Sequence, residues 1–589
     1  MFRLPLFKTY KRILATLPDG SRGLFHWALV LGFCRSVLDL AGVALVIPVV
    51  VTVLQPESLQ QGGMFGWASS WVQTDDPTRL ALGLVAALVA VFLLRALLTW
   101  WLAARQLQAV YKLTESVSLA RFHSYMHMPF GYYTEQNTTL LLRNFLFLPF
   151  EFGQRVLMPY VQLVNELLIV AAVLGGMLLY NPVLFLSVVA LLAPAFMLFQ
   201  YTLRRTLKDA SERKDQSSKA AFKHGAQAME LYREISLSGR YAYFQDRFRN
   251  GLHDLANINA RIGTLNELSP KITELIAITG IASVFLFAYL TRVPINGLVE
   301  FLVVFAVVVS RLLPSSNRIV LYTNNIRSND YAFEHLARLP HFDPPAKAAQ
   351  SAPPLAFNES IEFRDLTFAY NDAPVLNGLN LTVTKGTTVG IVGPSGSGKT
   401  TLLNVLLRLF EEQSGGIYVD NQRVTASNRP AWYRLVGLVP QNINLLDADF
   451  TQNIAFGLSE EEIDFDKVKE AARRAKLLDL IEQSPEGFNT RIGESGIKLS
   501  GGQRQRLGIA RALYTDAQIL IFDEATSQLD MKTEEQITES IRALSHKDLT
   551  IVIVAHRVQT LRYCDAIYSM DNGALGAPLQ YNDLFKTTA

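Results

Sequence analysis

The sequence predicts a protein of two unlike parts, an all-α six-helix transmembrane domain followed by an α/β domain. Of its 589 residues, 50% are hydrophobic and only 18% are charged, whereas soluble proteins carry about 25% charged residues. Six long apolar runs crowd the first half, and short apolar strands alternate with helix-like segments in the second half. We expect a transmembrane domain at 1–337, a linker at 338–356 and an α/β domain at 357–589.

Composition also excludes several other classes of protein. The 34 Phe and 21 Tyr residues supply too much apolar surface for a disordered chain. Two cysteines cannot form a disulfide scaffold. A net charge of +3 is too small to favour nucleic acid as a partner.

Each apolar run is long enough to cross a membrane, which takes roughly 20 residues for about 30 Å of hydrocarbon. The predicted spans are residues 24–54, 79–103, 156–180, 182–201, 272–290 and 298–322. Two polar stretches, 104–155 and 204–271, contain little Pro or Gly, so we expect helices to extend beyond the membrane there. They should turn back near 131–143 and 230–239. Five prolines within 338–354 predict the linker.

The distribution of Lys and Arg predicts the orientation. Residues 1–22 and 204–271 are rich in both, whereas 55–78 contain neither. By the positive-inside rule, both termini and the α/β domain are cytoplasmic and 55–78 is external. The first run is too long for a signal peptide, so it should stay in the membrane. In the outer loop, Met64, Trp67 and Trp71 share one helical face, which fits a lipid-contacting helix or simple interfacial anchoring.

The second half contains a phosphate-binding loop. A short apolar strand, 389–392, leads into a helix-like segment, 401–410, which opens at Thr401. Between them lies the motif Gly393-Pro394-Ser395-Gly396-Ser397-Gly398-Lys399-Thr400. Its backbone N–H groups should surround phosphate oxygens, Lys399 should reach the β- and γ-phosphates, and the Thr400 hydroxyl should bind Mg²⁺. The motif predicts a loop that binds phosphate groups together with Mg²⁺.

A second apolar strand, 519–522, ends in two carboxylates. Asp523 suits a Mg²⁺ ligand, and Glu524 suits a base that polarises the attacking water. Such a strand is weak evidence alone, but it is strong evidence downstream of a phosphate loop.

With Leu499-Ser500-Gly501-Gly502-Gln503 between these two motifs, the chain resembles the ATP-binding cassette (ABC) ATPases. The resemblance implies that Tyr370 stacks on adenine, that Gln441 senses Mg²⁺ and that His556 faces the γ-phosphate. Residues 527–530, including Asp530, match the D-loop, with Gln528 where Ala is usual. Residues 493–496 resemble the cross-talk segment of exporters. The chain has six spans with long cytoplasmic extensions, followed by a linker and then the cassette. This order resembles the type I ABC exporter architecture.

The family resemblance implies how this chain works. The nucleotide of a partner subunit would be capped by Ser500, Gly501, Gly502 and Gln503. Because one chain has only one cassette, this arrangement implies a homodimer with two ATP sites. Because Glu524 is intact, both sites should hydrolyse ATP, which argues against a channel. The two predicted turns would be coupling helices. The expected location is the inner membrane of a bacterium.

Ionisable residues inside the spans predict the cargo, because they are costly in a membrane and are usually functional. The cationic residues in or beside the spans are Arg35, Arg95, Lys271, Arg311 and Arg318. They would line a positive cavity suited to a phosphate or diphosphate headgroup. Two alternatives stay open: Arg35 pairs with Asp39 on the same helix face, or Arg95 reaches to the interface.

Two stretches, 92–98 and 310–319, resemble matching helices of the bacterial lipid-linked oligosaccharide flippases, through Arg-Ala-Leu-Leu and Leu-Pro-Ser-x-Asn-Arg-Ile. Lys271 departs from the Arg expected there but keeps the charge. The resemblance implies an ATP-driven translocase for a polyprenyl-diphosphate oligosaccharide. A multidrug or general lipid exporter is the main alternative. A peptide exporter is weakened because no cysteine-protease-like domain is present in this sequence.

Overall fold

The computed structural model describes residues 5–54, 77–180, 182–291, 295–338, 355–371, 373–493, 499–524, 531–544 and 549–584. Contacts divide the chain into two units. The first comprises Met1–Met128 and Glu135–Phe342, and the second comprises Pro129–Thr134 and Asp343–Ala589.

The part up to residue 338 is helical. Its helices are α1 (Pro5–Thr16), α2 (Arg22–Leu54), α3 (Pro77–Met126), α4 (Phe130–Glu135), α5 (Thr138–Leu142), α6 (Leu148–Phe152), α7 (Met158–Tyr180), α8 (Pro182–Glu230), α9 (Tyr232–Ser238), α10 (Tyr241–Thr291), α11 (Ile295–Ser328) and α12 (Asp330–Arg338). Two π-helical turns, Arg143–Phe147 and Gly153–Leu157, flank α6. The short helices α4 and α9 lie where the sequence predicts turns.

Five of the six predicted spans lie within longer helices, and the span at 156–180 begins in the π-helical turn that precedes α7. Helix α3 has 50 residues, so at 1.5 Å per residue it is about 75 Å long, more than twice the roughly 30 Å of a hydrocarbon core. In the described part of the chain, three segments are long and apolar enough to span a membrane: Asp19–Gly42, Val85–Met126 and Thr138–Leu179. The predicted spans at 182–201 and 272–290 fall largely on residues whose side chains lie outside this description, as does the first half of the span at 298–322.

An apolar core joins the ends of several helices in the first unit. Phe25, Leu113, Phe152 and Phe333 are fully or almost fully buried in it. The rings of Phe152 and Phe333 meet edge to face with centroids 5.3 Å apart. Helix α12, which leads towards the linker, is therefore fixed to α6.

A buried cluster of charges lies beside this core. Asp215 of α8 accepts a hydrogen bond of 3.1 Å from Arg143 and contacts Lys219 and His335 at 2.7 Å each. The Arg143 and Asp215 side chains are only 2% and 10% exposed. Burial by itself would raise the pKa of Asp215, but the hydrogen bonds from His335 and Lys219 outweigh it and lower that pKa to about 2. The cluster connects α8 to α12.

Replacing Asp215 should destabilise the first unit. Asp215→Asn leaves Arg143 buried without its counter-ion, which costs about 3 kcal/mol or more. Because the folded pKa of about 2 lies below the ordinary value of about 3.9, the stabilisation is complete above about pH 4 and is lost as the pH falls towards 2. Thermal unfolding at several pH values tests both points. The control is Asp209→Asn, which changes an exposed residue of the same helix. Equal midpoints for the two variants would contradict the prediction.

The second unit is built on two sheets. Its strands are β1 (Ser360–Tyr370), β2 (Ala373–Thr384), β3 (Thr388–Val392), β4 (Ser414–Val419), β5 (Gln422–Arg423), β6 (Val436–Val439), β7 (Ile519–Asp523), β8 (Thr550–Ala555), β9 (Ala566–Asp571) and β10 (Ala574–Leu579). One sheet has the order β2-β1-β4-β5 and the other the order β10-β9-β3-β8-β7-β6. In the larger sheet β9, β3, β8, β7 and β6 are parallel. Every residue of the central strand β8 is buried.

Helices of the second unit surround these sheets. They are α13 (Lys399–Leu406), α14 (Arg429–Leu435), α15 (Phe450–Ile454), α16 (Phe465–Arg474), α17 (Leu478–Glu482), α18 (Gly501–Tyr514) and α19 (Met531–Leu544). The sequence predicts the first of these helices at 401–410, and the predicted C-terminal end is wrong. The helix stops at Leu406 because Arg408 has a φ of +55°, a left-handed conformation that ends helices.

Candidate functional site: an ATP site and a charged membrane cavity

Four neighbouring parallel strands bring the predicted catalytic residues to one edge of the larger sheet. Strand β3 leads into the phosphate loop, β6 precedes Gln441, β7 ends at Asp523 and β8 ends just before His556. Since β3, β8, β7 and β6 are adjacent, the loops at their carboxyl ends must converge. This edge is where open α/β sheets bind ligands.

The phosphate loop has the geometry that its sequence predicts. Gly396 and Gly398 have φ values of +84° and +105°, which favour glycine. A Cβ on Gly393 would lie 2.2 Å from the carbonyl oxygen of Met570, so that position has no room for a side chain. The loop runs directly into α13, whose N-terminus attracts anions.

Lys399 is held across the mouth of this loop. Its Nζ donates hydrogen bonds of 2.8 Å to the carbonyl oxygens of Gly393 and Pro394. Burial lowers the pKa of Lys399, and the charge of Glu524 partly offsets that effect. Within the described residues, the buried Ser397 Oγ has no hydrogen-bond partner. A cation and an unused hydroxyl in a loop of backbone N–H donors fit a polyphosphate. The loop and the first turn of α13 also contain Pro394, Ser395, Thr400 and Thr401.

Glu524 is in direct contact with the other two predicted catalytic residues. Glu524 Oε1 lies 2.6 Å from His556 Nε2, and Glu524 Oε2 accepts a 2.8 Å hydrogen bond from Gln441 Nε2. The Glu524 side chain is 14% exposed, and its backbone has a φ of +45°. This left-handed conformation is strained for a non-glycine residue, as often occurs at functional sites. Burial and then the charge of Glu524 raise the pKa of the adjacent Asp523.

The Leu-Ser-Gly-Gly-Gln motif forms the start of α18. Ser500 Oγ accepts a 3.3 Å hydrogen bond from the Gln503 backbone N–H, and the Gln503 side chain accepts a 2.8 Å hydrogen bond from the Ser500 N–H. This capping box leaves the first N–H groups of a 14-residue helix available to an anion. Gly501 is exposed, whereas Gly502 is buried against Thr533. Asp530 and the predicted cross-talk residues 494–496 lie outside the described residues.

Tyr370 lies at the end of β1 and is 41% exposed. Its hydroxyl oxygen accepts a 3.5 Å hydrogen bond from Thr401 Oγ1. The exposed ring is thus tied to the helix that follows the phosphate loop.

A separate charged cavity of about 200 Å³ lies among α2, α7 and α11. Its lining residues are Arg35, Ser36, Asp39, Leu40, Gln162, Asn165, Glu166, Ile169, Val173, Arg311, Ser315, Arg318 and Tyr322. Of the five predicted cationic residues, Arg35, Arg311 and Arg318 line this cavity. Arg95 lies beside it, whereas Lys271 is 77% exposed, 3.9 Å from Glu274, and does not line it.

Two of the arginines are neutralised by carboxylates. Asp39 pairs with Arg95 at 2.7 Å, and Glu166 pairs with Arg318 at 2.6 Å. The alternative pairing of Asp39 with Arg35 is therefore wrong. A Cβ on Gly42 would lie 2.3 Å from Arg95 Nη1, so this glycine leaves room for the guanidinium. Among the described residues, no carboxylate lies within ion-pair distance of Arg35 or Arg311.

Glu166 was not among the residues predicted from the sequence. It lies within the predicted span 156–180, so the rule that selected the arginines, that a charge inside a span is functional, also applies to it. Gln162, Asn165 and Tyr322 gave no such signal, because uncharged polar residues are common in membrane helices.

The fold and the two sites define an ABC exporter half-transporter that binds and hydrolyses ATP. Residues 376–527 match the family model described as ABC transporter, and residues 40–313 match the one described as ABC transporter transmembrane region. The chain belongs to the ABC transporter family. It is a multi-pass protein of the bacterial inner membrane, and its half-transporter architecture implies dimerisation.

Known proteins resemble most of the chain. The ATP-dependent lipid A-core flippase of Cupriavidus pinatubonensis is 30% identical over 460 residues, which cover 77% of each chain. The protein of the same name from Paraburkholderia xenovorans is 28% identical over 500 residues, 83% of this chain and 82% of the other. A bacterial Atm1-family ABC exporter solved with ATP bound has a TM-score of 0.72 at 22% identity, and the match covers 94% of this chain and 96% of that one. That structure supports the type I exporter fold.

Proposed function

We propose that this protein is a homodimeric, ATP-driven translocase that flips an amphipathic lipid with a phosphate or diphosphate headgroup. The observation that carries this proposal is the membrane cavity. Three arginines and two carboxylates line it, and Arg95 beside it pairs with one of those carboxylates. The other carboxylate pairs with Arg318, so among the described residues two positive charges are left. Charges inside a membrane are costly and are usually functional. Arg35 and Arg311 are the residues that we assign to the headgroup, since guanidinium groups bind phosphate through paired hydrogen bonds.

A polyprenyl-diphosphate oligosaccharide is the first candidate substrate, because of the resemblance at 92–98 and 310–319. A lipid A-core glycolipid is the second, because the relatives reported above are named for it. Both are anionic lipids with a large polar glycan. A multidrug exporter would not need this net positive charge.

We assign ATP hydrolysis to the residues at the sheet edge. Lys399 and the loop N–H groups bind the phosphates, and Tyr370 stacks on the adenine. Mg²⁺ would be held by Thr400, Asp523 and Gln441 together with phosphate oxygens, because this ion is usually bound by a few protein ligands and the substrate's phosphates. The ion would neutralise part of the phosphate charge. Glu524 orients and polarises the attacking water, and His556 contacts the γ-phosphate.

The homodimer completes each site. Ser500, Gly501, Gly502 and Gln503 would present the start of α18 to the γ-phosphate held by the other protomer. Asp530 would lie near the same interface. Around α9, Met229, Tyr232 and Leu237 are 74%, 64% and 84% exposed. An apolar surface of this kind suits a coupling helix that docks on the partner's cassette.

We place both termini and the cassette on the cytoplasmic side. Basic residues flank the proposed inner ends of the helices, and 55–78 carry none. Substrate would therefore enter from the inner leaflet.

Flipping in proteoliposomes tests the proposed function. The full-length protein should move a polyprenyl-diphosphate oligosaccharide to the opposite leaflet only when ATP is present, and a parallel assay should use a lipid A-core glycolipid. If only the lipid A-core glycolipid moves, the anionic-lipid class stands, and this glycolipid replaces the polyprenyl-diphosphate oligosaccharide as the proposed substrate. If neither lipid moves while drugs stimulate the ATPase, the proposal is overturned in favour of a multidrug exporter.

A further inference from the structure

His556 lies at the junction between a buried strand and a loop. It follows strand β8 directly, and its Nε2 lies 2.6 Å from Glu524 Oε1. Every residue of β8 is buried, so the sheet holds the backbone before His556 firmly. The backbone after it leads into one short helical turn, Val558–Leu561, which has no side-chain cap at Arg557. The direction of the His556 side chain therefore depends in part on what holds this turn.

Glu534 of helix α19 holds the turn at two points. Its Oε2 accepts a 2.8 Å hydrogen bond from Arg557 Nη1, and its Oε1 accepts a 2.9 Å hydrogen bond from Thr560 Oγ1. Arg557 is the residue next to His556, and Thr560 is buried within the turn. The Glu534 side chain is 10% exposed. Both donors thus meet one buried carboxylate, where hydrogen bonds to a charged group are stronger than in water.

Helix α19 provides a fixed base for Glu534, because its first turns pack on α18. A Cβ on Gly502 would lie 2.3 Å from Thr533 Cγ2, so this glycine makes room for the residue just before Glu534. Gln536 Oε1 accepts a 2.8 Å hydrogen bond from Arg506 Nη2 of α18. A carboxylate on a base held in this way can keep its hydrogen-bond partners in one place.

We propose that Glu534 is a positioning residue for ATP hydrolysis. Through Arg557 and Thr560 it fixes the backbone that follows His556, and so keeps His556 in contact with Glu524 and directed at the γ-phosphate. The inference rests on the γ-phosphate role proposed for His556. Loss of Glu534 should slow turnover and leave the binding of ATP nearly as it is, because the phosphate loop does not depend on these contacts.

Steady-state ATPase kinetics of the full-length protein in lipid nanodiscs test this proposal. Glu534→Gln keeps the size of the side chain and removes its charge, and Arg557, whose side chain is 45% exposed, stays hydrated. We expect kcat to fall by roughly ten-fold, the effect of losing one hydrogen bond between charged groups, while KM for ATP stays within about two-fold. The matched control is Glu535→Gln, which makes the same change at the next, exposed residue and should hydrolyse ATP like the wild type.

Thr560→Val tests the same carboxylate from its other partner, and it carries the test if Glu534→Gln does not fold. It keeps the shape of the side chain and removes the hydroxyl that donates to Glu534. We expect kcat to fall about three-fold, because a hydroxyl donor contributes less than a guanidinium. An unchanged kcat in Glu534→Gln, or in Thr560→Val if that variant alone folds, would overturn the proposal. So would a KM raised as much as kcat is lowered, since that pattern indicates a distorted nucleotide site.

A double-mutant cycle separates this inference from the role on which it rests. His556→Ala alone should lower kcat more than Glu534→Gln does, and Glu534→Gln should add nothing further in that background, because both residues act on the same step. A merely structural role of Glu534 would lower kcat equally in both backgrounds. An unchanged kcat in His556→Ala would overturn the γ-phosphate role and this inference together. A lowered kcat in His556→Ala, combined with additive effects of Glu534→Gln, would overturn the positioning role alone.

Discussion

Glu524→Gln should lower ATP turnover by at least about 100-fold, the range expected for loss of a general base, while the protein still binds ATP. The substitution preserves the size of the side chain and an oxygen that can accept the hydrogen bond from Gln441. It removes the negative charge that polarises water. Phosphate release measured at saturating ATP reports turnover, and a fluorescent ATP analogue reports binding.

The matched control for this experiment is Glu539→Gln, which makes the same change at an exposed position of α19. It should hydrolyse ATP like the wild type. Turnover by Glu524→Gln at the wild-type rate would refute the assignment of the base. Loss of nucleotide binding would instead show that Glu524 is needed to form the site.

The nucleotide site could be predicted almost completely from the sequence, because its chemistry is encoded in contiguous motifs. The phosphate loop and the Leu-Ser-Gly-Gly-Gln segment each occupy fewer than ten residues, and their strand–loop–helix context is visible in the chain. The sequence did not predict that Glu524 contacts both Gln441 and His556. Those contacts depend on the order of strands β6, β7 and β8, which the chain order does not specify.

The membrane cavity was much less predictable. Spacing along one helix suggested that Asp39 pairs with Arg35, four residues away, but the structure pairs it with Arg95, 56 residues away. Glu166 and Arg318 are 152 residues apart. Such pairs are determined by which helices pack together and by small residues such as Gly42 that make room. The periodicity of a single apolar helix contains no information about either.

These pairings decide which arginines to test for substrate binding. Removing Arg318 would leave Glu166, whose side chain is 11% exposed, buried without its partner, and a loss of transport could then reflect misfolding. Arg35 and Arg311 avoid this problem, because no carboxylate in the described part of the chain pairs with either. They are also the two charges that remain for a phosphate or diphosphate.

The double substitution Arg35→Gln with Arg311→Gln should therefore lower the rate of lipid flipping by at least about ten-fold, since each hydrogen bond to a charged group contributes about 1.5–3 kcal/mol. Basal ATPase activity should stay within about two-fold, because the cavity is not part of the nucleotide site. The control is Lys271→Gln, which removes one positive charge at an exposed side chain that does not line the cavity. Flipping and phosphate release are measured in the same proteoliposomes. If the double variant transports as well as Lys271→Gln does, the cavity charge does not select the substrate, and the anionic headgroup must be recognised elsewhere.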